Sequence, residues 1–342
     1  MSLRFAFMGF RHDHIQTLYK RVKEKEVAGV ELVAACEEDA AAREEAVRKG
    51  VEMTHSRFED MLSEAPCDVV AIGDYFARRG SIAVQALREG KHVIADKPLC
   101  TDPGELDEIE RLSGEMGLKV GCMLTRRDLG NAIGARRLIL DGTIGEVHAI
   151  GFDGQHPLLS GSRPGWYFEP GKHGGTITDI AIHAVDSIPW MTGLKFARVN
   201  AARCWNAFAP ESPHFEDGAQ MMLTMDNGCG VLGDVSYFMP DGAGYKLPWY
   251  WRTTFWGRKG VLEIAQNADE VVLALGTDQA AGGRAVPAGN PGGHLKSFVR
   301  DVRGETEADE LCTGSVIRAS RIAIAIQKAA DENAHDVDLG EI

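Results

Sequence analysis

The sequence predicts an α/β protein in two parts: a doubly wound parallel sheet over residues 1–124, then an α+β domain with a large, mainly antiparallel sheet over residues 125–342. Three observations carry this reading. Short apolar runs alternate with amphipathic stretches as far as Met123, the rhythm of repeated strand–helix units. After Thr125, long strand-like runs separated by glycine and proline turns take over. The length of 342 residues suits two domains, and 44% hydrophobic residues supply a sizeable core.

The elements follow in order. Arg4–Met8 reads as a strand, and Ile15, Leu18, Tyr19 and Val22 then take helical spacing. Val30–Cys36 is a strand and Ala40–Lys49 a helix; a short strand near Val51–Met53 precedes a helix over Phe58–Leu62. Asp68–Ile72 is a buried strand, Ser81–Glu89 a helix and His92–Ala95 a strand. Asp102-Pro103 opens the next helix with a side-chain acceptor and then proline at the first helical position. Leu118–Met123 closes the series. Beyond it, a helix over Asn131–Asp141 ends at Gly142. Strands are expected at Glu146–Asp153, Phe196–Trp205, Gly218–Met225, Gly230–Phe238, Trp251–Trp256, Val261–Ile264 and Val271–Leu275. Helices are expected at Asp179–Met191, His294–Val302 and Thr313–Asn333, the last free to pack on either domain.

Composition narrows the function. A net charge of −13 argues against nucleic acid, whose phosphates need a basic surface. No run approaches the roughly 20 apolar residues of a membrane span. Ser2–Gly9 reads as a strand rather than a secretory leader. The seven cysteines include no CxxC pair and sit mostly in apolar runs, so free thiols in a reducing cytoplasm are expected.

A dinucleotide site of Rossmann type needs a tight turn from the first strand into a helix N-terminus. Gly9 stands there, but the other two glycine positions hold Arg11 and His14. Either Arg11 turns outward or it meets the phosphates itself. Glu37 ends the second strand, where a carboxylate can accept the adenosine ribose hydroxyls. Glu38 and Asp39 follow, with no adjacent arginine for a 2′-phosphate, so NAD is expected over NADP.

Gly90-Lys91-His92-Val93-Ile94-Ala95-Asp96-Lys97-Pro98-Leu99 resembles the strand and Glu-Lys-Pro signature of the glucose–fructose oxidoreductase/inositol dehydrogenase family, Gfo/Idh/MocA, with Asp96 in place of glutamate. Leu32–Glu37, Asp141–Val147 and Gly174-Gly175-Thr176-Ile177-Thr178-Asp179-Ile180-Ala181-Ile182-His183 are similar to that family's second strand, inter-domain hinge and active-site helix, and Asp186 fits the continuation. Two segments depart from it. The glycine loop is altered, and Asp74-Tyr75-Phe76-Ala77-Arg78-Arg79 replaces Thr-Pro-Asn-x-x-His. The resemblance implies a cofactor cleft built from Gly9, Phe10, Arg11, His12, Glu37, Asp74, Tyr75, Asp96 and Lys97. It also implies a homodimer or homotetramer joined through the second domain's sheet, whose free face suits a symmetric interface.

Oxidising an alcohol needs a base for the proton and an acceptor for the hydride. Asp179 and His183 are four apart and share a helix face. His183 is the candidate base, Asp179 would orient substrate or imidazole, and Lys97 at a strand's C-terminal end can stabilise negative charge on oxygen. Arg127, His156, Trp166 and Tyr167 are candidate substrate contacts, as are Arg163, Lys172 and His173 on the same loop; Arg126 also fits the family pattern. Trp249, Tyr250 and Trp251 read as sheet or interface packing. His12 and His14 flank Asp13, but no third ligand has diagnostic spacing, so no metal is expected. The leading reading is an NAD-dependent oxidoreductase of a sugar, inositol or related polyol. An NAD-dependent glycosidase working by transient oxidation and a non-catalytic ligand sensor are the alternatives.

Overall fold

The structure is a computed structural model describing residues 2–277 and 280–340. Its first sheet is built from β1 (Leu3–Met8), β2 (Val30–Cys36), β3 (Val69–Ile72), β4 (His92–Ala95) and β5 (Val120–Cys122), all parallel, in the order β2-β1-β3-β4-β5. Helices α1 (His14–Lys23), α2 (Ala40–Arg48), α3 (Phe58–Glu64), α4 (Arg79–Arg88) and α5 (Pro103–Met116) connect the strands. Strands covered on both faces read as continuous apolar runs, and all four residues of β3 are buried. The strand order reverses between β1 and β3, which opens a crevice at their C-terminal ends. Gly9 turns there with φ +83°, and a side chain on it would put Cβ 2.5 Å from the Asp74 backbone nitrogen. Asp102 caps α5 as expected, accepting from Glu105 N at 2.8 Å.

The expected strand near Val51–Met53 does not form. Glu52 N donates to the Tyr19 hydroxyl, and a single bridge joins Cys36 to His55 instead of a ladder.

The second part contains α6 (Gly130–Leu140), β6 (Val147–Pro157), a π-helical turn (Ile177–Ala181) running into α7 (Ile182–Thr192), β7 (Phe196–Trp205), β8 (Gly218–Met225), β9 (Gly230–Met239), β10 (Thr253–Gly257), β11 (Gly260–Ile264), β12 (Glu270–Leu275), β13 (Gly282–Ala285), α8 (Gly293–Arg303), α9 (Thr313–Asp331) and β14 (Val337–Asp338). Nine strands form one sheet, β13-β12-β11-β10-β6-β9-β8-β7-β14. Neighbours are antiparallel except β6 and β9. Strands β13 and β14 have no apolar signal of their own; pairing with β12 and β7 creates them. Strand β10 starts two residues later than expected, because Trp251 takes φ +54°, outside strand geometry.

One face of this sheet packs with α6, α7 and α9 into the largest core cluster. The other face leaves Met222, Leu232, Trp256 and Val272 exposed. Helix α8 crosses back to the first sheet, where Leu295, Phe298 and Val299 join Phe5 and Phe7. Helix α9 touches α5 and β5 on one side and α7 and β7 on the other. Among the described residues no helix is long and apolar enough to cross a membrane.

Candidate active site

Lys97 follows Asp96 directly after β4, so the parallel sheet delivers it to the crevice end. The second part brings Asp179 to it on the π-helical turn. Two glycines make that approach possible: Gly174 (φ +80°) and Gly175 (φ +101°) run so close to Thr101 and Gln327 that a Cβ on either would lie 2.2 Å from them. Gln327, from α9, accepts from Ile177 N at 3.0 Å and so caps the turn.

Lys97 Nζ donates to Asp179 Oδ1 at 2.6 Å and to the Asp179 carbonyl at 3.0 Å, with 2% of each side chain exposed. The other oxygen, Oδ2, accepts the Tyr237 hydroxyl, which in turn accepts from His173 Nε2 at 3.0 Å. Burial opposes the Asp179 charge, but Lys97 and His173 outweigh it and hold the carboxyl well below its usual range. Asp179 therefore does not orient the imidazole, as the four-residue spacing suggested; its oxygens belong to Lys97 and Tyr237. Tyr237 was not singled out from sequence, since as an inward residue of β9 it reads as ordinary core.

Lys97 and Asp179 border a cavity of about 420 Å³, with His12, His14, Arg126, His156, Arg163, Tyr167, His183, Tyr250 and Trp251 also in its wall. His183 is 8% exposed, its ring meets the Trp251 ring at 5.5 Å, and its buried Nδ1 has no partner. Burial, then Lys97 and Arg126, keep its imidazole neutral. His156, among Tyr237, Tyr245, Tyr250 and Trp251, has a buried Nε2 without a partner and is pushed down to about 3, chiefly by burial. Arg126 lies over Trp251 at 4.8 Å, and burial lowers it to about 10. Arg163 donates to the carbonyls of Pro157 and Leu158.

Several expectations need correction. Arg127 pairs with Asp186 at 2.5 Å outside the cavity; its neighbour Arg126 lines the cavity instead. Trp166 gives its indole N–H to the Arg11 carbonyl at 3.0 Å and packs on Phe76, so only Tyr167 of that pair reaches the cavity. Tyr250 and Trp251 wall the site rather than an interface, while Trp249 is exposed. Lys172 lies over the Tyr75 ring.

The crevice at the end of β1 and β3 carries the frame for a dinucleotide. Glu37 is fully buried, with Oε2 accepting Phe10 N at 2.7 Å and Oε1 accepting Asp39 N at 2.9 Å. Arg11 does not turn outward. Its guanidinium lies 3.8 Å from Glu37 and 3.6 Å from Asp39, near the Tyr75 ring. The fold also brings in arginines that the local sequence did not show: Arg43 donates to the Glu37 carbonyl, and Arg78 pairs with Glu38 and Asp74. Gly9, Glu37, Asp74 and Lys97 are the residues of this frame that would hold a nicotinamide dinucleotide. Arg79, fully buried, braces the replaced segment by bonding Asp96 and the carbonyls of Asp74, Lys97 and Pro98.

Comparison with known proteins agrees with this architecture. The profile of an oxidoreductase family with an NAD-binding Rossmann fold matches residues 3–123, and that of the GFO/IDH/MocA C-terminal domain matches residues 133–263. The chain belongs to the Gfo/Idh/MocA oxidoreductases. Inositol 2-dehydrogenase 1 of Saccharopolyspora erythraea is 24% identical to this family member over 289 residues, 82% of this chain and 79% of its own. Levoglucosan dehydrogenase of Pseudarthrobacter phenanthrenivorans is 28% identical over 200 residues, 57% of this chain and 50% of its own. The structure of an inositol dehydrogenase homolog from Azotobacter vinelandii, complexed with NAD+, shares the fold at a TM-score of 0.82 and 16% identity, covering 99% of this chain and 97% of its own.

Proposed function

We propose that this Gfo/Idh/MocA oxidoreductase interconverts a secondary hydroxyl and a carbonyl on a sugar, inositol or related polyol, with NAD as the hydride partner. The observation that carries the reading is the buried Tyr237–Asp179–Lys97 chain, whose Asp179 and Lys97 reach the wall of a cavity that His183 also lines. Relatives named as dehydrogenases of inositol, levoglucosan and D-xylose support the substrate class. NAD is favoured over NADP because Glu37 ends β2 and the arginines beside it, Arg43 and Arg78, are held by the Glu37 carbonyl and by Glu38 and Asp74 rather than free for a 2′-phosphate.

When bound, the nicotinamide accepts or returns the hydride. The protein's part is proton and charge. Asp179 and Tyr237 fix the Lys97 ammonium, and that ammonium stabilises negative charge on the reacting oxygen. Neutral His183, in the cavity wall, accepts the hydroxyl proton. Lys97 and Arg126 disfavour a lasting imidazolium, so the proton moves on rather than resting there.

The experiment is single-turnover hydride transfer from a panel of sugars and inositols. His183→Ala should slow it by about 100-fold or more while leaving NAD affinity nearly unchanged. Equal rates with chemistry limiting would remove His183 from the reaction.

A further inference from the structure

His12 and His14 stand two apart in the altered turn, and the fold delivers a third group that their spacing alone did not reveal. Asp96, more than 80 residues along the chain, places Oδ2 at 2.6 Å from His12 Nδ1 and Oδ1 at 3.2 Å from His14 Nδ1. The three donor atoms lie within 4.8 Å of one another. We propose that His12, His14 and Asp96 bind a divalent transition-metal ion whose open positions face the cavity shared with Lys97 and His183.

The donor set is two imidazoles and one carboxylate, which suits zinc, cobalt, iron or manganese and leaves coordination positions free. Metal–ligand bonds of about 2.0–2.2 Å place neighbouring donors roughly 3 Å apart. The 3.2 Å separation already matches, and the 2.6 Å one has to open by a few tenths of an ångström. That adjustment falls to His12, whose side chain is 13% exposed, while half-exposed His14 keeps its present distance. Asp96 cannot wander, because Arg79 grips Oδ2 at 3.1 Å from a fully buried position. Carboxylates fixed in this way by an outer partner are the usual support of a metal ligand.

The site opens on the cavity already described, since His12 and His14 line it together with Lys97, His156 and His183. Arg79 already offsets the Asp96 charge, so a dication here draws an anionic or readily ionised oxygen from the cavity. A polyol with adjacent hydroxyls, or a sugar acid, supplies such an oxygen, and the ion lowers the pKa of a hydroxyl it holds. That last step rests on the polyol reading above; the metal site itself does not.

The test uses untagged, metal-stripped protein titrated with Co²⁺ alone, followed by visible d–d absorption, and with Zn²⁺ by calorimetry. One ion per chain is expected. His12→Ala/His14→Ala should weaken uptake at least 100-fold while circular dichroism stays unchanged, and His14→Ala alone, at a half-exposed position, should weaken it about tenfold. Absence of Co²⁺ uptake by the wild type at about 1 mM, or equal uptake by the folded double variant, overturns the proposal and leaves a histidine–aspartate hydrogen-bond pair. Because neither NAD nor substrate is present, such a failure leaves the oxidoreductase reading standing.

Discussion

Asp179→Asn removes one charge from a buried pair and keeps the shape. In the wild type Lys97 and Asp179 lie 2.6 Å apart with 2% of each side chain exposed. In the variant Lys97 retains the Asp179 carbonyl at 3.0 Å and a neutral amide oxygen, but no counter-charge. A buried ammonium so abandoned costs about 3–5 kcal/mol. Lys97→Met is predicted to cost less, about 1–3 kcal/mol, because Asp179 keeps the Tyr237 hydroxyl and lies 3.7 Å from His173 Nε2. The double variant leaves neither charge, so its loss should fall short of the sum by at least about 1 kcal/mol. Urea unfolding followed by circular dichroism and tryptophan fluorescence measures all four proteins, with coincident transitions required before free energies are compared. Equal losses in the two single variants, or additivity within about 0.5 kcal/mol, would refute the assignment of Lys97 as the more dependent partner of a coupled pair.

Three further predictions follow from other parts of the molecule. Arg11→Ala removes partly exposed ion pairs worth about 0.5–1 kcal/mol, so NAD should bind up to about fivefold tighter by calorimetry; weaker binding would make Arg11 a phosphate contact. Asp301 accepts Thr313 N at 2.8 Å and Thr313 Oγ1 at 2.6 Å at the start of α9. Burial raises its pKa, yet these bonds and Lys119 outweigh burial and hold it below the usual value. Its contribution is thus present above pH ~4, the unfolded aspartate value, and lost as pH falls through the folded one. Asp301→Asn should flatten that acid limb, and unchanged acid unfolding would count against it. Leu232, 64% exposed on the open sheet face, is the place to test assembly. Leu232→Asp should turn a dimer or tetramer into monomer by light scattering, and a monomeric wild type at micromolar concentration would end the proposal.

Legibility from sequence depended on whether a signal was local. Strands β7 and β8 were readable to the residue because alternation and flanking turns define them. Lys97, Asp179 and His183 were readable as candidates, and all three border the cavity. The π-helical turn was not, since no side-chain period distinguishes it from the helix that follows. Which of Arg126 and Arg127 enters the cavity turns on one short 3₁₀ turn, Thr125–Asp128, whose orientation is set by tertiary packing. Tyr237 and Asp96 acquire their partners from 58 and 84 residues away, distances over which spacing carries no information.

The return of α8 has a consequence for how the chain is made. Phe298 packs edge-on against Phe5 at 6.4 Å and fills the space beside Gly121, so the first sheet lacks part of its cover until nearly 300 residues have been synthesised. An N-terminal sheet emerging from the ribosome therefore waits with apolar surface uncovered, and a fragment ending after β5 should be prone to aggregation rather than a free-standing nucleotide-binding unit.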